Sequence, residues 1–147
     1  MSDNQYQIFL SFKDRDENGS RTKSSRFSEK LFHSLTEKGY KVFYAPSVLN
    51  GMVGQAIVPT IEHALESSKF QIVVLTNSYE VNSKWVRFEW QYFFKNNKPV
   101  LPVFLNDGKI DFDSMPPEIR DIQGIQITDG SSYDTLLEKI ELAMSDR

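Results

Sequence analysis

The segment Phe70-Gln71-Ile72-Val73-Val74-Leu75 is apolar over nearly its whole length and lacks the in-out alternation of a strand with one wet face. A strand of this composition has to be covered on both sides. The runs 6–12 and 40–44 share the property. So does 99–105, weakened as a strand by Pro102, and 125–127 is a short fifth. Between these runs the apolar spacing turns helical. Phe27, Leu31 and Leu35 fall at i, i+4 and i+8 with Phe32 beside them, and Gly39 supplies a stop. Ile57, Ile61, Ala64 and Leu65 form a second stripe, with Pro59 tolerable in its first turn. Residues 85–94 read as a third helix, dense in aromatics. Tyr133, Leu136, Leu137, Ile140 and Met144 form the apolar face of the last, which Ser131-x-x-Asp134 opens as a capping box. The stretches 13–23, 45–55, 76–84 and 106–117 read as loops, and 118–121 as a helical turn.

Strand and helix alternate throughout, which argues for a parallel sheet with helices on both faces. The expected fold is α/β, a flavodoxin-like three-layer sandwich with five parallel strands in the order 2-1-3-4-5. It forms one domain over residues 1–147, with a core from about 6 to 144. In such sheets ligands sit beyond the carboxyl ends of the strands, where the order reverses between the first and the third. The loops 13–23 and 76–84 are then at the site, with 45–55 near enough to contribute. Three familiar occupants of this architecture fail on the residues. Neither G-x-x-x-x-G-K-[ST] nor G-x-G-x-x-G occurs. Lys13-Asp14-Arg15-Asp16 stands where a flavin phosphate loop would be rich in Ser, Thr and Gly. Thr76-Asn77 stands where a phospho-receiver would end its third strand on an acid.

Composition narrows the function classes. With 17 basic and 20 acidic side chains, no cationic excess is available to displace counterions from nucleic acid or an anionic membrane. The lack of cysteine removes disulfides, thiolate metal sites and a Cys nucleophile. His33 and His63, the only histidines, are too few for a His-rich catalytic metal centre and read as surface residues. No apolar run approaches the ~20 residues of a spanning helix, and the opening residues are not a signal peptide. The expected compartment is the cytoplasm.

One segment stands out, Ser83-Lys84-Trp85-Val86-Arg87-Phe88-Glu89-Trp90. On a helix Trp85 and Glu89 lie one turn apart on the same face. Val86, Trp90 and Phe93 form the neighbouring face, the one expected to pack on the sheet. Two readings of Glu89 stand. It is a solvated helix residue beside a half-buried Trp85, or an acid whose pKa an aromatic wall pushes upward. Ser11 reads as a strand-end hydroxyl bonded to backbone.

In order and spacing, these segments resemble a Toll/interleukin-1 receptor (TIR) domain from residue 6 to about 144. Ile8-Phe9-Leu10-Ser11-Phe12 is similar to the family's F-I-S-Y/F box. Gly39-Tyr40-Lys41-Val42-Phe43-Tyr44 is followed by Leu49-Asn50-Gly51, which looks like the L-x-x-G of the family's BB loop. The helix 57–67 and the strand Ile72-Val73-Val74-Leu75-Thr76 come next. Ser83-x-Trp85-Val86-x-x-Glu89 then matches S-x-W-[CV]-x-x-E.

The resemblance implies one of two functions. Enzymatic members cleave the nicotinamide–ribose bond of NAD+, as glycohydrolases or cyclases, leaving ADP-ribose or a cyclic isomer. NAD+ is their substrate, and no cofactor or metal is called for. Other members are non-enzymatic scaffolds that assemble through TIR–TIR contacts, a role that Val48-Leu49 and Met52-Val53 suit as exposed apolar pairs. The Glu of the W-x-x-x-E element is catalytic in the enzymes and falls here on Glu89, which favours the enzyme. By the same resemblance Phe12 and Lys13, with Asp14 beside them, and Asn50 in the BB loop bear on NAD+. Trp85 then stacks on a substrate ring or shields the cation from water. Several enzymes carry Arg after the first box and an acid in the BB loop, where this chain has Lys13 and Asn50. Lys13 offers a phosphate a point charge without a bidentate fork, and Asn50 a hydrogen bond without charge. The implied partners are further TIR copies, one BB loop completing a neighbour's pocket, and a downstream receptor of the nucleotide product. The implied setting is bacterial defence against phage. The 13–23 loop, long for the family, would cover the pocket or contact a neighbouring copy.

Overall fold

The computed structural model describes residues 5–49, 57–122 and 124–145, with 48 and 106–109 by backbone alone. Asn50, Met52-Val53 and the rest of 50–56, and with them most of the loop expected over 45–55, lie outside the described residues. Five parallel strands pair in the order β2-β1-β3-β4-β5, the order expected of the flavodoxin-like fold. They are β1 (Ile8–Ser11), β2 (Val42–Tyr44), β3 (Phe70–Asn77), β4 (Val100–Lys109) and β5 (Ile125–Ile127). The helices are α1 (Lys23–Glu37), α2 (Ala45–Leu49), α3 (Ile57–Ser67), α4 (Lys84–Lys95), α5 (Pro117–Arg120) and α6 (Gly130–Ser145).

Successive strand residues point to opposite faces, and here both faces are dry. Ile8, Leu10, Ile72, Val74 and Val103 pack with Leu31 and Leu35 of α1 and with Leu136 and Ile140 of α6. Phe9, Val73, Leu75 and Phe104 turn the other way, into a second core with α3 and with Val86, Trp90 and Phe93 of α4. A strand buried on both sides has no reason to alternate, which accounts for the composition of β3. Gln71 is its exception. It shares the α4 side with Val73 and Leu75, sits in register with Phe9, and is fully buried.

Several segments depart from the sequence expectation. β2 passes into α2 with no residue between them, where a loop from 45 was expected. Pro46 falls in the first turn of α2, where its missing N–H has no intrahelical bond to lose. β3 continues through Asn77, whose Oδ1 accepts from the backbone N–H of Tyr79 (3.0 Å) and of Glu80 (3.1 Å). Those bonds turn the chain into a 3₁₀ turn at Glu80–Asn82 in place of open loop. β4 runs on to Lys109 past its expected end, with Pro102 inside it. The β5 ladder begins at Val103, so Pro102 lies ahead of it, and Gly124 passes close by. A Cβ on Gly124 would stand 2.6 Å from the Pro102 carbonyl oxygen, so no side chain fits there.

α6 is capped earlier than expected. Asp129 Oδ1 accepts from the Ser132 N–H (3.0 Å) while Ser132 Oγ accepts from the Asp129 N–H (3.0 Å). This reciprocal pair replaces the box expected of Ser131 and Asp134, because Asp caps as well as Ser and comes first in the chain. The 13–23 loop is folded on itself. Arg15 and Arg21 form an antiparallel bridge, and Asp16 Oδ1 accepts from the N–H of Asn18 (2.9 Å) and of Ser20 (3.0 Å). Gly19 takes a φ of 81°, a conformation that side chains disfavour.

One long-range tie carries a stability prediction. Lys98 Nζ donates to the carbonyl oxygens of Leu65 (2.9 Å), Glu66 (2.8 Å) and Ser68 (2.9 Å), at the negative end of α3. Lys98→Met keeps the apolar stem and loses all three bonds. It is expected to lower stability by about 2 kcal/mol, read as a drop in Tm by thermal denaturation.

Candidate functional site

Two hydrogen bonds set how α4 lies on the sheet. The Ser83 hydroxyl donates to the Glu80 carbonyl (2.8 Å), closing the 3₁₀ turn onto the head of the helix. Trp90, almost wholly buried, donates its indole N–H to the Val81 carbonyl (2.7 Å). With the helix held in this rotation, Val86, Glu89, Trp90 and Phe93 form its buried face. Glu89 is therefore aligned with Val86 and Phe93 at i−3 and i+4. Trp85, expected beside it, stands 42% exposed with its ring edge-on to Phe88 at 5.8 Å. The first turn of α4 carries Trp85 clear of the sheet, so the indole is not the wall that shields the acid.

Glu89 opens instead on a cleft of about 390 Å³ at the carboxyl ends of β1 and β2. β1 supplies Ser11, the loop after it Phe12 and Asp14, β2 Phe43, and α2 Pro46 and Leu49. Of the residues expected at the site, Glu89, Phe12 and Asp14 thus come together. Phe12 is stacked on Tyr44, with centroids 5.7 Å apart. Asp14 Oδ1 accepts from the Ser25 hydroxyl at 2.5 Å. Lys13 and Trp85 are not among the described residues that line this cleft. Lys13 turns to a larger cleft of about 760 Å³ next to it, shared with Lys23, Arg26, Glu80 and Asn82. The larger space lies over the loops after β1 and β3, where the strand order reverses, yet Glu89 does not reach it.

The electrostatics single out Glu89. It is 8% exposed, and no Lys, Arg or His is among the described residues lining its cleft. Burial pushes its pKa up to about 8, and the Ser11 hydroxyl, which lines the same cleft, draws it part of the way back. Ser11, 1% exposed, in turn accepts from Gln71 Nε2 at 2.7 Å. Its hydroxyl thus bonds the Gln71 side chain, where a bond to backbone was expected. Gln71 went unread in the sequence although its signal was present, a lone amide in an apolar strand.

Glu80 is a second buried acid, with its pKa raised by burial and lowered again by its hydrogen bonds. Its Oε1 accepts from the Thr76 N–H (2.6 Å) and from the Ser24 hydroxyl (2.8 Å), which fastens α1 to the end of β3. His33 is exposed, 4.0 Å from Glu29. Among the described residues no group of three or more His, Asp or Glu is placed to hold a metal, and no helix is long and apolar enough to cross a membrane.

The family model described as "TIR domain" matches residues 8–140. Among solved structures the chain is similar to a metazoan TIR-STING receptor from C. gigas in complex with 2′,3′-cGAMP, with 22% identity and a TM-score of 0.60. That match covers 91% of this chain and 39% of the other. A further structure of a metazoan TIR-STING receptor from C. gigas matches at 21% identity and a TM-score of 0.55, over 84% of this chain and 38% of that one. The chain thus spans about two fifths of the length of these structures, and at such identities the likeness is one of fold. No curated protein matches the sequence.

Proposed function

The chain belongs to the TIR-domain family, and from that premise and the Glu89 cleft we propose that it cleaves the nicotinamide–ribose bond of NAD+. The observation that carries the proposal is a buried carboxyl group, with no cationic partner among the described residues lining its cleft, at the carboxyl edge of the sheet. Ordinary glycosidases need a second, protonated carboxyl group to help a poor leaving oxygen depart. The nicotinamide of NAD+ is already cationic. Its C1′–N bond breaks with both electrons going to nitrogen, nicotinamide leaves neutral, and the ribose is left oxocarbenium-like. A single carboxylate stabilises that charge and accepts a hydrogen bond from a ribose hydroxyl. Water then adds at C1′ and loses a proton to give ADP-ribose. A nucleophilic atom of the adenosine half, adding in place of water, gives a cyclic isomer. The apolar walls Phe12, Phe43 and Leu49 restrict water and favour the second course.

In this reading Phe12 and Asp14, which line the cleft with Glu89, meet the ribosyl end. Lys13, facing the adjoining cleft, would meet a phosphate of the same dinucleotide, and Trp85 would meet a second copy. The proposed setting is cytoplasmic signalling, with TIR copies as partners and a receptor for the nucleotide product. Concentrated protein incubated with NAD+ is expected to release nicotinamide, followed by chromatography, and the same run separates linear from cyclic ADP-ribose. The exposed Trp85–Phe88 pair favours a second reading, a TIR–TIR scaffold. Absence of nicotinamide at every protein concentration, crowded solutions included, would leave that reading in place of the enzyme.

A further inference from the structure

The larger cleft beside Lys13 carries chemistry that the Glu89 cleft lacks. It lies over the loops after β1 and β3, where open α/β sheets take their ligands, and its volume of about 760 Å³ is that of a small-molecule site. No described residue lines both clefts, yet Lys13 of the one stands in sequence between Phe12 and Asp14 of the other. From its lining we propose that this cleft binds a nucleoside diphosphate group, base and phosphates together. The group has two possible sources, a free nucleotide or the adenosine half of NAD+ reaching across Lys13. In the second case the inference rests on the function proposed above.

Tyr79, on the lining, is 85% exposed although the backbone around it is tied down. Its N–H donates to Asn77 Oδ1 (3.0 Å), and its carbonyl accepts from the Asn82 N–H (3.1 Å). The turn uses only that backbone, so neither packing nor turn chemistry accounts for the ring. An aromatic ring held on a fixed turn beside a cleft is a platform on which a base stacks. Charge points the same way. The chain has more acids than bases, yet Lys13, Lys23 and Arg26 line this cleft. Arg21 lines it too but is paired with Glu29 at 2.9 Å. Of the acids on the lining, Asp16 accepts from the N–H of Asn18 and of Ser20, and Glu80 from the Thr76 N–H and the Ser24 hydroxyl. Glu17 is exposed to solvent. Arg26 offers a phosphate a planar fork and the two lysines offer point charges. The Glu89 cleft has no cation among its described lining residues, so phosphates have to be held elsewhere.

Binding of ADP to ligand-free protein, followed by amide NMR shifts and calorimetry, tests the assignment. ADP is expected to shift residues 13–26 and 76–83 and to leave Phe43 and Leu49 unmoved. Tyr79→Ala removes an exposed ring and keeps the bonds of the turn. It is expected to weaken ADP about tenfold, and Lys13→Met about as much. Inorganic pyrophosphate, which has no base, is expected to bind Tyr79→Ala as it binds the parent protein. Shifts confined to the Glu89 cleft, no binding of ADP at millimolar concentration, or an ADP affinity unmoved in either variant overturns the assignment. Binding of NAD+ to Glu89→Gln tells the two sources apart. If adding Tyr79→Ala weakens NAD+ as much as ADP, the cleft holds the adenosine half of NAD+. If ADP alone is weakened, the cleft holds a free nucleotide. Should the parent protein release no nicotinamide, the proposed function fails, and the ADP measurement still decides what this cleft binds.

Discussion

Glu89→Gln is expected to lower nicotinamide release from NAD+ by about a thousandfold, measured by chromatography on protein shown to be folded. Gln has the shape of a protonated Glu. Only the negative charge is lost, and that charge is what the ribosyl cation meets in the reaction proposed here. The fold itself gains. The carboxyl group titrates near 8 in the folded chain against 4.5 for the ordinary value. Its contribution to stability is therefore fully present below about pH 4.5 and lost as the pH rises through about 8. Above that range the parent protein holds an uncompensated buried charge, and the Gln variant holds none. At pH 9 the variant is expected to be the more stable by on the order of 3 kcal/mol, with the two thermal midpoints converging near pH 5. Turnover unaltered in Glu89→Gln would remove this residue from the reaction.

The second large effect is in the pH–rate profile. For the free enzyme, kcat/KM is expected to climb about tenfold per pH unit toward a bend near 8, because only the ionised carboxylate serves. The profile of kcat bends at lower pH. In the proposed complex the pyridinium ring of NAD+ lies beside the acid and favours the charged form. Substrate binding at neutral pH should accordingly release a proton, measurable as a buffer-dependent heat in calorimetry. A profile flat between pH 6 and 9 would contradict a buried, unpartnered base.

The fold was legible because burial leaves its mark in composition. A strand such as β3, covered by α1 on one side and α4 on the other, has no wet face to record in its sequence, and the helices keep their stripes. Alternation of strand and helix implied the parallel sheet, and the order went with the flavodoxin-like architecture. The lining of the site was less accessible, since it depends on how one helix is rotated. The i, i+4 spacing puts Trp85 over Glu89 on paper. The Trp90–Val81 bond and the tight turn after β3 instead bring Glu89 round to the strand ends and leave the indole outside. No periodicity reports a single indole N–H finding a carbonyl nine residues away. The Gln71–Ser11 contact joins residues 60 positions apart, and its register across β1 and β3 is set only when the sheet forms.

The seamless passage from β2 into α2 has a bearing on what can enter beside Glu89. The flank that carries Pro46 and Leu49 is an outgrowth of the sheet, and it cannot swing aside without tearing Tyr44 from its place opposite Leu10. An arriving guest meets a wall already in place on that side, so little freedom is lost in shaping it.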